Sequence, residues 1–474
     1  MARKRATLGV IVGTRGFFNS KLAEGGRAKL LEVLESRGIT PILLPEDTTP
    51  NGGAVETIDD ARKVAALFNE QREAIDGVVV SLPNFGDELG IVNALQQAKL
   101  DVPVLVHAED DDNSKVGVDQ RRDAFCGKLS VCANLYQYDI PFTDTTYHTC
   151  KVDSEEFGQD IDFFVAVCRV VRGLQRARIG AVGARPAAFQ TVRVSEKLLQ
   201  SSGITVVPVD LSEILSAAEA LDDSAAAVKE RVTEMRAYGS IASHIAKENI
   251  LKQAKFGVAL SEWVAANDID AAAVQCWTSI QRNYGCAACV SMSMLGNRLV
   301  PCACEVDIAG AVSMYALTLA SGGPSALLDW NNNFGVNRDM CVCTHCSNYP
   351  KDFVGADIEI GELDVLGGTL GKERCFGAVK GKVKAGPMTF FRISTDDTRG
   401  AVKAYVGEGE FTDDAYGMDG GIAVCHVDDL QSLMKFMCRN GFEHHVGMTR
   451  GYVARAIEEA LESYLGWELY AHHG

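Results

Sequence analysis

Short apolar runs alternate with helical repeats through the first third of the chain, and this order constrains the fold more than any other feature. Residues 7–12 form an apolar run that ends in Gly13-Thr14-Arg15, and residues 22–36 carry helical periodicity up to Gly38. Residues 40–44, 77–81 and 102–107 read as further strands, with helices over 59–75 and 87–98. Strand–helix alternation of this kind builds a parallel sheet covered by helices. Ligands of such sheets bind beyond the carboxyl ends of the strands. Three segments fall there: Gly13-Thr14-Arg15, the Pro83-to-Glu88 stretch, and His107-Ala108-Glu109-Asp110.

A long helix over 155–175 leads into a second alternating unit. It has strands at 178–183, 204–209 and 271–276, and long helical stretches over 211–237 and 243–267. Apolar helices are expected at 287–295 and 305–320, then a strand ending at Leu328-Asp329. After about residue 350 the period changes to two in 357–365, 376–384, 388–394 and 401–406, bounded by Gly, Asp and Thr. That reads as antiparallel β. Helices over 427–439 and 450–465 close the chain. The expected architecture is α/β, with two parallel-sheet α/β domains (1–153 and 154–350) followed by a mostly antiparallel β domain (351–474).

Composition narrows the function classes. With 46 basic against 63 acidic residues, the net charge of −17 argues against nucleic acid or an anionic membrane surface as the main partner. The start, with Arg3, Lys4 and Arg5, precedes an apolar run too short for a secretory signal. No apolar stretch approaches the roughly 18 residues of a membrane helix. The 15 cysteines are diluted in a 474-residue chain and read as reduced thiols of a cytoplasmic protein.

Three polar residues that end apolar segments stand out. Glu305 interrupts Pro301-Cys302-Ala303-Cys304, Asp329 follows Ala326-Leu327-Leu328, and His444-His445 follow Phe442-Glu443. A charge in such a place is costly unless paired or bound to a metal. Each also has a plainer reading: a helix-dipole partner for Glu305, a turn cap for Asp329, an exposed loop for the histidines. Together, one Glu, one Asp and one His suit a hard or borderline divalent ion. Cys341-Val342-Cys343-Thr344-His345-Cys346 lacks a paired C-x₂-C framework, so its thiols read as small core hydrophobes. The Gly180-to-Gly183 segment lacks the third glycine of a dinucleotide loop.

Cys276-Trp277, Tyr284-Gly285, Ala303-Cys304-Glu305-Val306-Asp307 with Gly310-Ala311, and Gly441-Phe442-Glu443-His444-His445 with Gly451 resemble the motifs of the L-fucose/L-arabinose isomerase family. So does the upstream stretch from Arg122 to Lys128. The resemblance implies an aldose–ketose isomerase acting on a small sugar: a pentose, a deoxyhexose or a sugar derivative. It implies Mn²⁺, or another divalent cation such as Mg²⁺ or Co²⁺, held by Glu305, Asp329 and His445. His345 and His444 are possible further metal or substrate contacts. It further implies a homo-oligomer, trimer or hexamer, with Arg15 reaching the sugar in a neighbouring subunit's site. Asn84 and Asp87 are candidates of the same kind, and Trp277 is either a sugar platform or a core residue.

The expected chemistry moves a proton between C1 and C2 of the sugar through a cis-enediolate. A divalent ion polarises the carbonyl, and one carboxylate carries the carbon-bound proton. Glu305 is assigned to that base role and Asp329 to ligation with proton exchange at the oxygens, although the sequence allows the reverse. A sugar epimerase using the same site, or a non-catalytic sugar-binding protein of the same fold, are the rival readings.

Overall fold

In a computed structural model, which describes residues 5–474, the first alternating segment forms a five-stranded parallel sheet. Met1 to Lys4, with two of the basic residues noted above, lie outside the described residues. From one edge to the other its strands are Thr40–Ile42, Thr7–Val12, Gly77–Leu82, Val104–Ala108 and Thr143–Asp144. Every residue of Gly77–Leu82 and Val104–Ala108 is buried. Neighbouring side chains point to opposite faces. Val78, Val80 and Leu82 join one apolar cluster with Val64, Phe68 and Ile91, whereas Val79 joins another with Leu30, Phe157 and Phe164. Burial on both faces explains why these strands read as unbroken apolar runs.

One compact unit runs through Arg172 and takes in Glu459–Gly466. The later segment adds a π-helical turn, Ala460–Leu465, and its Tyr464 hydroxyl bonds Thr143 Oγ1 at 2.7 Å. Within this unit the helix Ala124–Gln137 presses against the loop after Gly77–Leu82. A Cβ on Gly127 would stand 1.3 Å from the Phe85 carbonyl oxygen, so only glycine allows the approach. The next residue, Lys128, is buried and donates to Thr145 Oγ1 at 2.8 Å.

The second unit comprises Gly173–Glu458 with Trp467–Gly474. Its parallel sheet has the order Cys302–Ala303, Ala271–Val274, Arg178–Val182, Thr205–Val209. The rest of the unit carries a ten-stranded, mostly antiparallel sheet. Six of its strands close on themselves: Ala401–Phe411, Gly386–Asp396, His445–Arg450, Ser325–Phe334, Asn337–His345 and Gly421–His426, with the last pairing back to the first through Phe411 and Cys425. Closure removes free edges from this ring. Cys341, Cys343 and Cys425 lie in the same apolar cluster as Met388, Phe390 and Met448, which accounts for the alternating cysteines. Among the described residues no helix is long and apolar enough to cross a membrane.

Two local expectations fail at consequential places. The helix expected from residue 305 begins instead at Ile308, because Glu305 and Val306 both adopt φ +56° and Asp307 caps the helix. Residues 442–447, expected between two helices, lead into the strand His445–Arg450. His445 to Thr449 are all buried, and so short a run does not register against the helical repeats on either side. The helical stretch 211–237 is also two helices, Leu211–Ala220 and Ala226–Tyr238.

Candidate active site

The strand Ala271–Val274 and the short strand Cys302–Ala303 run side by side, and the chain beyond each delivers a site residue. Two consecutive left-handed residues, Glu305 and Val306, turn the chain sharply after Cys304. Such a conformation costs on the order of 1–3 kcal/mol per non-glycine residue and persists only where the surroundings enforce it. The Glu305 carboxylate is buried, and its Oε1 accepts from Trp277 Nε1 at 2.9 Å.

The antiparallel sheet supplies the rest. Asp329 sits on Ser325–Phe334 between two neighbours, paired with His445 on one side and Thr344 on the other. His345 follows Thr344, and its Nδ1 lies 3.2 Å from Asp329 Oδ1. His445 Nε2 lies 3.5 Å from the same oxygen and 3.8 Å from Glu305 Oε2, and His345 Nε2 lies 3.4 Å from Glu305 Oε2. His444 stands at the rim, half-exposed, with Nε2 3.9 Å from Asp329 Oδ1.

Three buried polar atoms here face one another with no hydrogen-bond partner: Glu305 Oε2, His345 Nε2 and His445 Nε2. Leaving such groups unsatisfied costs about 1–3 kcal/mol each. Ligands about 2.0–2.6 Å from one ion stand roughly 3–4 Å apart, as Glu305 Oε2 does from His345 Nε2 and from His445 Nε2, and His445 Nε2 from Asp329 Oδ1. Two carboxylates and two imidazoles are also the donor set that hard and borderline divalent ions prefer. The residues therefore fit a bound cation.

Electrostatics point the same way. Burial opposes ionisation of Glu305 and Asp329, but the imidazoles of His345 and His445 outweigh it and hold both carboxyls below their ordinary values. Burial likewise opposes a charge on His345, yet Asp329 and Glu305 raise it well above its ordinary value. Thiols border the cluster: Cys276 and Cys304 lie beside Glu305, and Cys346 beside Glu305 and His345. Burial pushes the Cys346 thiol well up, which disfavours it as a thiolate ligand.

The structure thus brings Glu305, Asp329, His345, His444, His445 and Trp277 together. Trp277 meets the cluster through its ring nitrogen. Phe189 is a residue that sequence reasoning missed. Its ring lies 5.5 Å from that of His445, 5.6 Å from His444 and 5.9 Å from Trp277. Its one sequence signal is its place in the loop beyond the carboxyl end of the strand Arg178–Val182.

The first unit holds Arg15, Asn84 and Asp87 in a constellation of their own. The Arg15 guanidinium pairs with Glu88, lies 3.6 Å from Asp87, and covers the Phe85 ring at 4.2 Å. Asn84 is fully buried, donates to Thr14 Oγ1 at 3.0 Å and accepts from the Gly86 N–H, so its side chain shapes the loop. Asp87 caps the helix Glu88–Ala98 through the Leu89 N–H.

Residues 9–175 match the N-terminal domain of fucose/sulfoquinovose isomerase, and residues 343–473 the C-terminal domain of L-fucose isomerase. Glu305, Asp329 and Trp277 lie between the matched segments. The chain is also 25% identical, over 94% of both chains, to the sulfoquinovose isomerases of Priestia aryabhattai and Priestia megaterium. To that of Alkalicoccus urumqiensis it is 25% identical over 62% of this chain and 64% of the relative. These relations define an enzyme of the aldose–ketose isomerase class. The chain belongs to the fucose/sulfoquinovose isomerase family.

Proposed function

We propose that this chain is a divalent-metal-dependent isomerase that interconverts an aldose and a ketose through a cis-enediolate. Mn²⁺, or Mg²⁺ or Co²⁺ in its place, would be held by Glu305, Asp329 and His445, with His345 as fourth ligand. The observation that carries this reading is a set of three buried, unpartnered atoms: Glu305 Oε2 with His345 Nε2 at 3.4 Å and His445 Nε2 at 3.8 Å, the latter also 3.5 Å from Asp329 Oδ1. When bound, the ion would polarise the sugar carbonyl and stabilise negative charge on the neighbouring oxygens.

The protein's own groups would do the rest. Glu305 is the base that takes the hydrogen from one carbon and returns it to the next. Trp277 holds the Oε1 side of that carboxylate at 2.9 Å, restricting the direction from which it reaches the sugar. Asp329 exchanges protons with the substrate oxygens. Phe189 and Trp277 offer flat apolar surface beside the cluster, which limits water around the reacting carbons. Asn84 and Asp87 shape the loop that presents Arg15, and in a cytoplasmic trimer or hexamer Arg15 would contact the sugar in a neighbouring subunit's site.

The relatives named sulfoquinovose isomerase make a sulfonated hexose the first substrate to try, ahead of L-fucose and the pentoses. The test strips the protein with chelator, restores Mn²⁺, Mg²⁺ or Co²⁺ singly, and follows aldose–ketose conversion of each sugar. Conversion that returns only with a divalent ion supports the reading. Full conversion in chelator, or epimer formation alone, overturns it.

A further inference from the structure

Behind His445 lies a buried polar assembly that the reaction as described does not use. Asp307 is completely buried, and its carboxylate is surrounded by partners. Oδ1 accepts from the Gly310 N–H at 2.8 Å and from Arg392 Nη2 at 3.1 Å. Oδ2 accepts from Arg392 Nη1 at 2.5 Å and lies 2.7 Å from His445 Nδ1. Arg392 is itself fully buried, and its Nε donates to Glu443 Oε2 at 3.3 Å. The Ser394 hydroxyl donates to Glu443 Oε1 at 2.7 Å. A Cβ on Gly310 would stand 2.5 Å from Asp307 Oδ2 and 3.0 Å from Arg392 Nη1, so the helix start is cut to fit this pair.

The hydrogen-bond inventory assigns the proton between Asp307 and His445. Three N–H donors already address the carboxylate, which therefore offers His445 only a lone pair. The hydrogen belongs to Nδ1. A neutral imidazole has one N–H, so Nε2 then carries a lone pair. That Nε2 is buried, without a hydrogen-bond partner, and faces Asp329 and Glu305. We propose that Asp307 is a positioning residue that fixes His445 as the Nδ1–H tautomer and so presents Nε2 to a divalent cation, with Arg392, Glu443 and Ser394 holding Asp307 in place. This deepens the metal-site reading and rests on it for its purpose, but the tautomer itself is a property of the metal-free protein. If the pair served only to tie the helix Ile308–Ser321 to the strand Gly386–Asp396, the bonds to Gly310 and Arg392 would suffice and the tautomer would be immaterial.

The experiment is nitrogen NMR of the full-length, metal-free protein with ¹⁵N-labelled histidine, under conditions where the His445 ring is neutral, its signals assigned by loss in His445→Gln. The expected result is a protonated Nδ1 and an unprotonated Nε2. Asp307→Asn keeps the shape. Its Oδ1 stays with the Gly310 N–H and Arg392 Nη2, so its Nδ2 takes the place of Oδ2, gives up the bond from Arg392 Nη1 and donates to His445. The proton should then move to Nε2, and Mn²⁺ affinity measured by calorimetry should fall about 10–100-fold. A His445 protonated on Nε2 in the parent overturns the proposal. So does an Asp307→Asn protein with the parent tautomer, or with a switched tautomer and unchanged Mn²⁺ affinity. If Asp307→Asn does not fold, the parent spectrum decides. If the parent binds no Mn²⁺ yet shows the Nδ1–H tautomer, the metal-site reading fails while the tautomer assignment stands.

Discussion

Asp329 and His445 stand directly opposite each other on neighbouring antiparallel strands, with Oδ1 and Nε2 3.5 Å apart. A cross-strand pair is held by the ladder on both sides, so neither side chain depends on a flexible loop for its place. His345 comes from the next strand along, and Glu305 from beyond a parallel strand. The cluster therefore joins two sheets of one compact unit, and its four side chains cannot be recognised from any one stretch of sequence.

Such a cluster should be stabilised by its ion. Mn²⁺ at about 100 times its dissociation constant would add roughly 2.7 kcal/mol to stability, read as a rise of several degrees in melting temperature. Chelator should reverse the rise. Asp329→Asn and His345→Gln should each shrink it, because each removes a donor and changes the balance of charge. An unchanged rise in both variants would place the ion elsewhere.

Turnover should depend on Glu305 beyond its part in binding. Glu305→Gln keeps the size and one oxygen but cannot carry the proton. Loss of a general base costs about 10²–10⁴-fold in rate. Exchange of the sugar's C1 or C2 hydrogen with deuterated water, at saturating metal, is the direct readout. Exchange at the parent rate would pass the base role to Asp329 or indicate a hydride shift.

The α/β alternation was legible because strands buried on both faces, such as Gly77–Leu82, must be apolar throughout. Glu305, Asp329 and His445 stood out because each interrupts or ends an apolar run. The start of the helix after Glu305 was misread because two left-handed residues leave no compositional mark, neither being glycine or asparagine. The strand His445–Arg450 was missed because six residues between helical repeats carry too little period. Phe189 was missed because a single aromatic residue beyond a strand end has no spacing to distinguish it. Arg392 falls in a run read as alternating, and its ion pairs with Asp307 and Glu443 show how the core holds it.

Gly127 should tolerate no side chain. A methyl group would sit 1.3 Å from the Phe85 carbonyl oxygen, and backbone on both sides would have to move apart. Gly127→Ala is expected to cost about 3 kcal/mol or more, measured by urea unfolding. Gly25→Ala, in the helix Ser20–Ser36 with nothing within 4 Å of its Cβ, should be neutral or slightly stabilising. Equal effects at the two positions would contradict the packing.

The first unit should lose stability in mild acid through His107. This ring is fully buried, with Nε2 2.8 Å from the Cys150 carbonyl oxygen and Nδ1 3.1 Å from Ser81 Oγ. Donating from Nε2 and accepting at Nδ1, it is satisfied as a neutral ring. Burial lowers its pKa from the ordinary ~6.5 to about 4. Between those values the unfolded chain binds more protons than the folded one, so stability is intact above about pH 6.5 and falls as pH drops toward 4. The loss amounts to roughly 3 kcal/mol. Denaturant titrations at pH 7, 5.5 and 4 should follow this trend, and the part due to His107 should vanish in His107→Gln.

Trp277 gives a prediction in which two roles separate. Its Nε1 donates to Glu305 Oε1 at 2.9 Å, while its ring lies edge-to-face with Phe189. Trp277→Phe keeps a flat ring and removes the donor. If the N–H restrains the Glu305 carboxylate, kcat should fall about 10–100-fold, the effect of one hydrogen bond to a charged group worth about 1.5–3 kcal/mol. KM for the sugar should change little. If the indole served instead as a stacking surface for the sugar, the smaller ring would raise KM and leave kcat near the parent value. Steady-state kinetics at saturating Mn²⁺ distinguish the two, and a KM-only effect would remove Trp277 from the account of how Glu305 is oriented.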